Sequence, residues 1–458
     1  MFEPNPPSDA SSPSDQSPQS TPGGVKPRIG LALAGGGALG AIYEIGALCA
    51  LDEALEGLKL HQLDAYIGVS AGGFLAAGLA NGMTTRELYA SFISNSGPVH
   101  DIFEPQVLMR PAWGEFLRRL ALLPGLGAQS AVRYVFKRRS LAGALENLGR
   151  ALPTGMFSSR QIEAQLRRKF STAGRTNDFR QLKRQLVLVA TELDSGKSAP
   201  FGLPGFDEVP ISKAVQASAA LPGLFPPVRI RGRHYVDGAL KKTLHATVLL
   251  DHGVDLLLCL NPLVPFDAVH APTHRVLGGG QRRIPKLVHG GLPAVLSQTF
   301  RTLIHSRLEI GLERYEHLYP DSTVVLFEPD HRDPEMFLAN TFSYSQRRAL
   351  AEHAYQQTRQ MLRERRAELN QKLAPHGVSI CQAALEDTER TLVGEPVAKK
   401  LKHRAGFGAA MVRLDRTLTE LEQSLPLPPL KKLPGHRASR QTGMRPGKTQ
   451  SKSAVRHT

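Results

Sequence analysis

The sequence predicts a three-layer α/β fold with a mainly parallel central sheet, helices on both faces and a disordered basic C-terminal tail. Short apolar runs of strand length recur at 28–34, 63–69, 186–191, 228–235, 254–261 and 323–327, with helical patterns between most of them. That alternation is the signature of a parallel sheet covered on both sides. Two of the runs end in glycine-rich turns, Gly35-Gly36-Gly37-Ala38-Leu39-Gly40 and Gly68-Val69-Ser70-Ala71-Gly72. The composition also changes at both ends of the chain, where little could be buried.

Residues 1–26 read as a disordered leader rich in Pro, Ser and Asp, with neither the basic nor the apolar segment of a cleavable secretory signal. The run 29–34 reads as a buried strand. A helix from about 40 to 56 follows, carrying Ile42, Ile45, Leu48 and Leu55 along one side. A second strand at 63–69 and the helix after Ser70 make another β–α unit. Residues 103–152 mix aliphatics with arginines, as in Phe116-Leu117-Arg118-Arg119-Leu120, and read as a basic amphipathic insert. Such an insert suits a bilayer surface or the mouth of a site, and equally a helical hairpin packed on the core. The run 228–236 reads as one strand ending at Asp237. Residues 270–291 are loop-like, 345–371 read as one long charged helix clamping the sheet edge, and 394–425 contain a further short helix.

A chain of 458 residues with 41% hydrophobic and 21% charged residues is long enough for a sizeable core and excludes wholesale disorder. Its three cysteines, Cys49, Cys259 and Cys381, have neither metal-site nor disulfide-framework spacing, which favours a reducing cytoplasm. The longest uncharged stretch, 65–85, is interrupted by five glycines and reads as strand, turn and buried helix, not as a membrane span. The formal net charge of +16 calls for an anionic partner. Residues 431–458 contribute eight Lys or Arg and no acid, as a solubilising tail or a contact for anionic phospholipid at the inner face of the membrane. No zinc spacing, stacking motif or recognition helix accompanies that charge, so nucleic acid is disfavoured as a partner. Oligomeric state is not legible.

The chemistry concentrates at the two glycine turns. Gly68-Val69-Ser70-Ala71-Gly72 is G-x-S-x-G between a strand and a helix, the setting that presents a serine hydroxyl on a tight turn. An ordinary helix N-cap is the competing reading of Ser70. The backbone N–H groups of the 35–40 loop could hold a developing oxyanion. Gly35, Gly37 and Gly40 also satisfy a dinucleotide fingerprint, but Asp52 and Glu56 sit within a helix, not at the strand end where a ribose-binding acid belongs. A nucleophilic serine needs a base. Asp237, in Tyr235-Val236-Asp237-Gly238-Ala239, is one candidate, with a plain Asp-Gly turn as its alternative. His234, His245 and His252 are the histidines nearest to it and leave a triad open.

Taken in order, Gly35–Gly40, the Ser70 pentapeptide, 217–227 (ASAALPGLFPP) and Asp237-Gly238-Ala239 resemble the patatin-like phospholipase family. The resemblance spans roughly residues 28–261. It implies a patatin-type hydrolase acting on fatty-acyl esters of phospholipids or related lipids, with Ser70 as nucleophile and Asp237 as proton acceptor and no catalytic histidine. It further implies an oxyanion hole drawn from Gly35, Gly36, Gly37, Ala38 and Gly40, motif glycines Gly68, Gly72 and Gly238 with Ala239, and no metal or organic cofactor. Two departures stand out. Leu39 occupies the position where the family usually has a basic residue, and 240–245 lack the family's Asn-x-Pro. The implied organisation is a leader at 1–26, a hydrolase region at 27–375 containing the basic insert, a short helical extension at 376–430 and the basic tail at 431–458. A lipid acyltransferase using the same acyl-enzyme and a catalytically silent membrane- or partner-binding module are the rival functions.

Overall fold

The computed structural model describes residues 26–96, 110–126, 152–271, 274–275, 281–282, 286–338 and 344–392, all within one compact unit, Met1–Gly394. The expected leader up to residue 25, most of the basic insert, the 394–425 helix and the basic tail lie outside the described residues.

The core is a single eight-stranded sheet. Five strands are parallel: β1 (Ile29–Leu33), β2 (Ala65–Val69), β3 (Gln185–Glu192), β7 (Leu256–Leu260) and β8 (Thr323–Phe327), in the order β8-β7-β1-β2-β3. The remaining three are β4 (Ser198–Phe201), β5 (Val228–Ile230) and β6 (Arg233–Asp237). Both β4 and β6 pair antiparallel with β3, and β5 extends the edge beyond β6.

The strands feed two cores by simple alternation. Ile29, Leu31 and Leu33 of β1 point to one face, Ala32 to the other; Tyr66 of β2 joins the first, Ile67 and Val69 the second. A period of two in side-chain direction is what a strand imposes. The first core is closed by α1 (Gly37–Ala54), α2 (Ser70–Ala80) and α6 (Tyr344–Glu364). The second is closed by the short helix Thr247–Leu250 and by α5 (Gly291–Leu318), through Leu308 and Tyr315. These are the two helical layers the sequence predicts.

Three expectations are corrected. First, α1 is buried nearly all round between Gly40 and Leu51, not on one side, because α6 lies along the face turned away from the sheet. Their approach depends on Gly46, where an added Cβ would sit 2.4 Å from the Ala351 carbonyl oxygen. The charged C-terminal helix therefore covers a helix instead of clamping the sheet edge, and it breaks before a second helix, Arg366–Leu373. Second, the run 228–236 is a hairpin. Arg231 and Gly232 have φ of 48° and 82°, the left-handed pair that a two-residue turn requires, so β5 and β6 run antiparallel. Third, α1 begins at Gly37, three residues early, so most of the 35–40 segment is the first helical turn.

Candidate active site

Ser70 directly follows β2 and starts α2, and its φ of 52° is strained for a residue with a Cβ. The strain persists because neighbouring backbone holds the turn on every side. Gly72 N–H donates to the Ala34 carbonyl at 3.0 Å, and a Cβ at Gly72 would lie 2.4 Å from that same oxygen. A Cβ at Gly68 would lie 2.6 Å from the Gly73 Cα. Both motif glycines are therefore required by close approach. Ser70 is 7% exposed, at the C-terminal ends of the parallel strands.

The glycine-rich segment abuts this turn. A Cβ placed on Gly35 would come within 3.1 Å of Ser70 Cβ and 3.8 Å of Ser70 Oγ. Gly36 precedes α1, Gly37 has φ of 61°, and Gly40 N–H donates to the Gly36 carbonyl at 3.0 Å. Gly36 and Gly40 both press against Pro262, where a Cβ would approach to 2.8 and 2.9 Å of its ring. The first N–H groups of α1 have no partner inside the helix, and they carry the positive end of its dipole. Gly35, which packs against Ser70, lies two residues before that helix start. Leu39 turns onto the first core, away from any charge-bearing role. One turn further on, Glu44 is fully buried, and desolvation raises its carboxyl well above the usual carboxylate range.

Asp237 arrives by a different route. Strand β6 comes back from beyond the ends of the parallel strands and stops where Asp237 faces Ala190 of β3, one register step past the Val69–Val189 pair. The chain then turns at Gly238, where a Cβ would sit 2.3 Å from the Val189 carbonyl oxygen. Asp237 is 3% exposed. Burial raises its pKa to about 6, while hydrogen bonding from the Ser70 side chain and from Ala239 N–H, at 2.9 Å to Oδ1, pulls it back. Serine and aspartate thus meet across the parallel–antiparallel junction of the sheet.

The histidines do not join them. His245 is buried, but its Nε2 is occupied by the Gly238 carbonyl at 3.3 Å, and burial lowers its pKa to about 4. His234 is exposed opposite Arg229, and the exposed His252 turns its Nδ1 back onto the Val248 carbonyl at 2.6 Å.

One contributor escaped the sequence reading. Ser218, at the end of α4 (Ile211–Ser218), accepts the Ser70 backbone N–H at 2.8 Å through Oγ and donates to the Val189 carbonyl at 2.6 Å. Two residues later, the Ala220 carbonyl accepts the Asp237 N–H at 3.0 Å. The 217–227 segment therefore ties the elbow to the aspartate. The available signal was a single serine within an alanine-rich helix end, Ala217-Ser218-Ala219-Ala220.

Residues 31–250 match the family model described as patatin-like phospholipase. That stretch is patatin-like. The matched stretch runs from within β1 past Asp237 and includes the glycine-rich segment, the Ser70 turn and Ser218, while Pro262 lies beyond it. Among solved structures, VipD from Legionella pneumophila is 17% identical, with a TM-score of 0.35, covering 74% of this chain and 67% of its own. The type III effector protein ExoU is 16% identical, with a TM-score of 0.30, covering 87% and 66%. Full-length ExoU with SpcU, from Pseudomonas aeruginosa, is 16% identical with a TM-score of 0.28, covering 74% and 53%. The chain spans about two thirds of the first two and about half of the third, and likeness at this level carries no functional conclusion.

Proposed function

We propose that the patatin-like region is a serine acyl hydrolase for fatty-acyl esters of phospholipids or related lipids, working through Ser70 and Asp237 without a histidine. The observation that carries this reading is the convergence of a strained serine and a buried, pKa-raised carboxylate from opposite sides of the sheet. Ser70 Oγ attacks the acyl carbonyl as Asp237 takes its proton, which forms the C–O bond of a tetrahedral intermediate. N–H groups at the start of α1, from Gly36, Gly37 and Ala38, stabilise its oxyanion. Collapse releases the alcohol, protonated by Asp237, and leaves the acyl-enzyme. Water, deprotonated by the same carboxylate, then releases the fatty acid. A base with pKa near 6 is ionised at neutral pH yet strong enough to accept a proton, as an exposed aspartate is not.

The surroundings favour work at a lipid interface. Helix α3 (Trp113–Leu120) leaves Trp113 67% and Leu117 64% exposed, beside Arg118 and Arg119. It is anchored to the segment that holds the site: Ala112 N–H donates to Met156 O, and Met156 N–H to Gly223 O. Met156 and Leu221 are exposed as well. Apolar side chains beside basic ones suit peripheral contact with an anionic membrane from its cytoplasmic face. Among the described residues, no helix is long and apolar enough to cross a membrane.

The deciding experiment labels the purified chain with a fluorophosphonate and assays it on a soluble nitrophenyl ester and a phospholipid panel. Labelling and hydrolysis that disappear in Ser70→Ala support the reading. An inert wild-type serine would leave the silent-module alternative, and acyl transfer to an added alcohol exceeding hydrolysis would favour the transferase.

A further inference from the structure

Away from Ser70, one cluster of side chains has no place in the acyl-transfer chemistry. His305 of α5, Glu328 immediately after β8 and His331 three residues on bring one possible ligand atom each to within 4.8 Å of one another. His305 is only 8% exposed, and its Nδ1 has no hydrogen-bond partner. That atom lies 3.6 Å from Glu328 Oε1, too far for a hydrogen bond. The rings of His305 and His331 meet edge-on with centroids 4.8 Å apart. The other nitrogen of His305, Nε2, faces Glu309 Oε1 at 3.4 Å.

The protonation pattern of this cluster is informative. A carboxylate beside Nε2 favours the tautomer that keeps its hydrogen there, which leaves Nδ1 as a bare lone pair aimed at the Glu328 carboxylate. With Glu328 ionised, two acceptors confront each other in a largely buried place. Among the described residues no Lys or Arg pairs with Glu328; its direct partner is Asn261 Nδ2, at 2.6 Å. A cation between the acceptors would satisfy both. We propose that His305, Glu328 and His331 form a binding site for a divalent transition-metal ion, and two imidazoles with one carboxylate are a donor set that suits zinc. Zinc takes such ligands at about 2.0–2.2 Å in a tetrahedron, so the three atoms need to close by only about 1–1.5 Å around it. Water completes the fourth position, and Glu309 orients His305 from outside.

The position assigns the ion a structural role. Glu328 is bonded to Asn261, and the next residue, Pro262, is the one wedged against Gly36 and Gly40. On α5, the neighbour of His305 is Ile304, whose carbonyl accepts Thr243 Oγ1 at 3.2 Å. The ion would join α5 to the ends of β7 and β8 just behind the glycine-rich turn. This proposal stands apart from the acyl-hydrolase reading, since no step of that chemistry passes through the ion.

The test is a direct metal measurement on the full-length chain, stripped with chelator and then titrated with Zn2+ against a chromophoric indicator. The expected result is about one equivalent bound per chain, with a rise in melting temperature and, on Co2+ substitution, visible d–d absorption of four-coordinate character. Glu328→Gln, which keeps the acceptor for Asn261, and His331→Ala should each weaken Zn2+ binding by more than about tenfold. His353→Ala, at a separate Asp333–Glu335 contact, should not. Less than a tenth of an equivalent in the wild type would overturn the site, and so would undiminished binding in both ligand variants. The cobalt spectrum needs no variant, so a misfolded substitution leaves the proposal open to refutation.

Discussion

The two halves of the sheet deliver their candidate catalytic residues by opposite means. On the parallel side, Ser70 is held by backbone: a left-handed φ, two glycines in contact with neighbouring carbonyls, and an N–H bonded to Ser218. On the antiparallel side, Asp237 is held in ordinary geometry and tuned by burial, which lifts its pKa to about 6. Strain thus positions the nucleophile, whereas desolvation adjusts the base. Each device has its own cost, so each can be tested by a different observable.

The sharpest break is chemical. Ser70→Ala and Asp237→Asn should each lower kcat/KM on a soluble ester by about 10³-fold or more, because members of one catalytic unit fail together. His245→Asn, suited to the left-handed φ of 50° at that position, should retain most turnover, as should His234→Ala. A folded histidine variant as inactive as Ser70→Ala would replace the dyad with a triad.

Stability separates the two residues in the other direction. The folded-state pKa of Asp237, about 6, lies above the value of about 4 expected in an unfolded chain. A raised acid pKa contributes stability in full below about pH 4 and loses it as pH rises through about 6. Asp237→Asn should therefore raise stability at pH 8 by up to about 2–3 kcal/mol, and have little effect at pH 4. Denaturant titrations at the two pH values measure this directly. Ser70→Gly should relieve the backbone strain and stabilise by about 1 kcal/mol at both pH values, while remaining inactive. The same carboxylate predicts an acid limb in the kcat/KM profile with an apparent pKa of about 6, absent if the base is not Asp237.

Smaller effects probe the supports. Ser218→Ala removes the acceptor for the Ser70 N–H and the donor to Val189. It should cost about 1–2 kcal/mol in stability and roughly tenfold in kcat with KM little changed. A shift in KM alone would show that Ser218 does not position the elbow. The smallest expected change concerns the lipid interface. Trp113→Ala should weaken co-sedimentation with anionic vesicles several-fold and leave soluble-ester turnover intact. The remaining binding should fall with salt, and fall again when residues 431–458 are removed.

The contrast between the two residues also explains what could be read in advance. The elbow was legible because its requirements are local: glycines two residues either side of Ser70, after a β-strand, announce the turn. The 228–236 hairpin was not. Arg231-Gly232 lacks the Asn-Gly or Asp-Gly wording of a two-residue turn, so the strand-like run 228–236 was read across it as one strand. The start of α1 was misplaced for a related reason, since Gly37 and Gly40 are poor helix formers, and the packing of Gly36 and Gly40 on Pro262 that frames this first turn is a tertiary contact. Ser218 carried too weak a signal, because a serine in an alanine-rich helix end has no distinctive spacing.

By itself, the sequence determined the alternation of buried strands and helices, the mainly parallel sheet, and the ordered set of glycine turn, serine elbow and Asp-Gly-Ala. Those properties follow from side-chain periodicity and from local backbone freedom, which neighbouring residues alone specify. Only the tertiary structure decided that Asp237 enters on a returning strand and rests beside Ser70, that His245 is bonded to Gly238 and not to the serine, and that His305 approaches Glu328 and His331. Each of those depends on strand pairing or helix packing between distant segments, where register and burial set distance and pKa, and no local pattern encodes them.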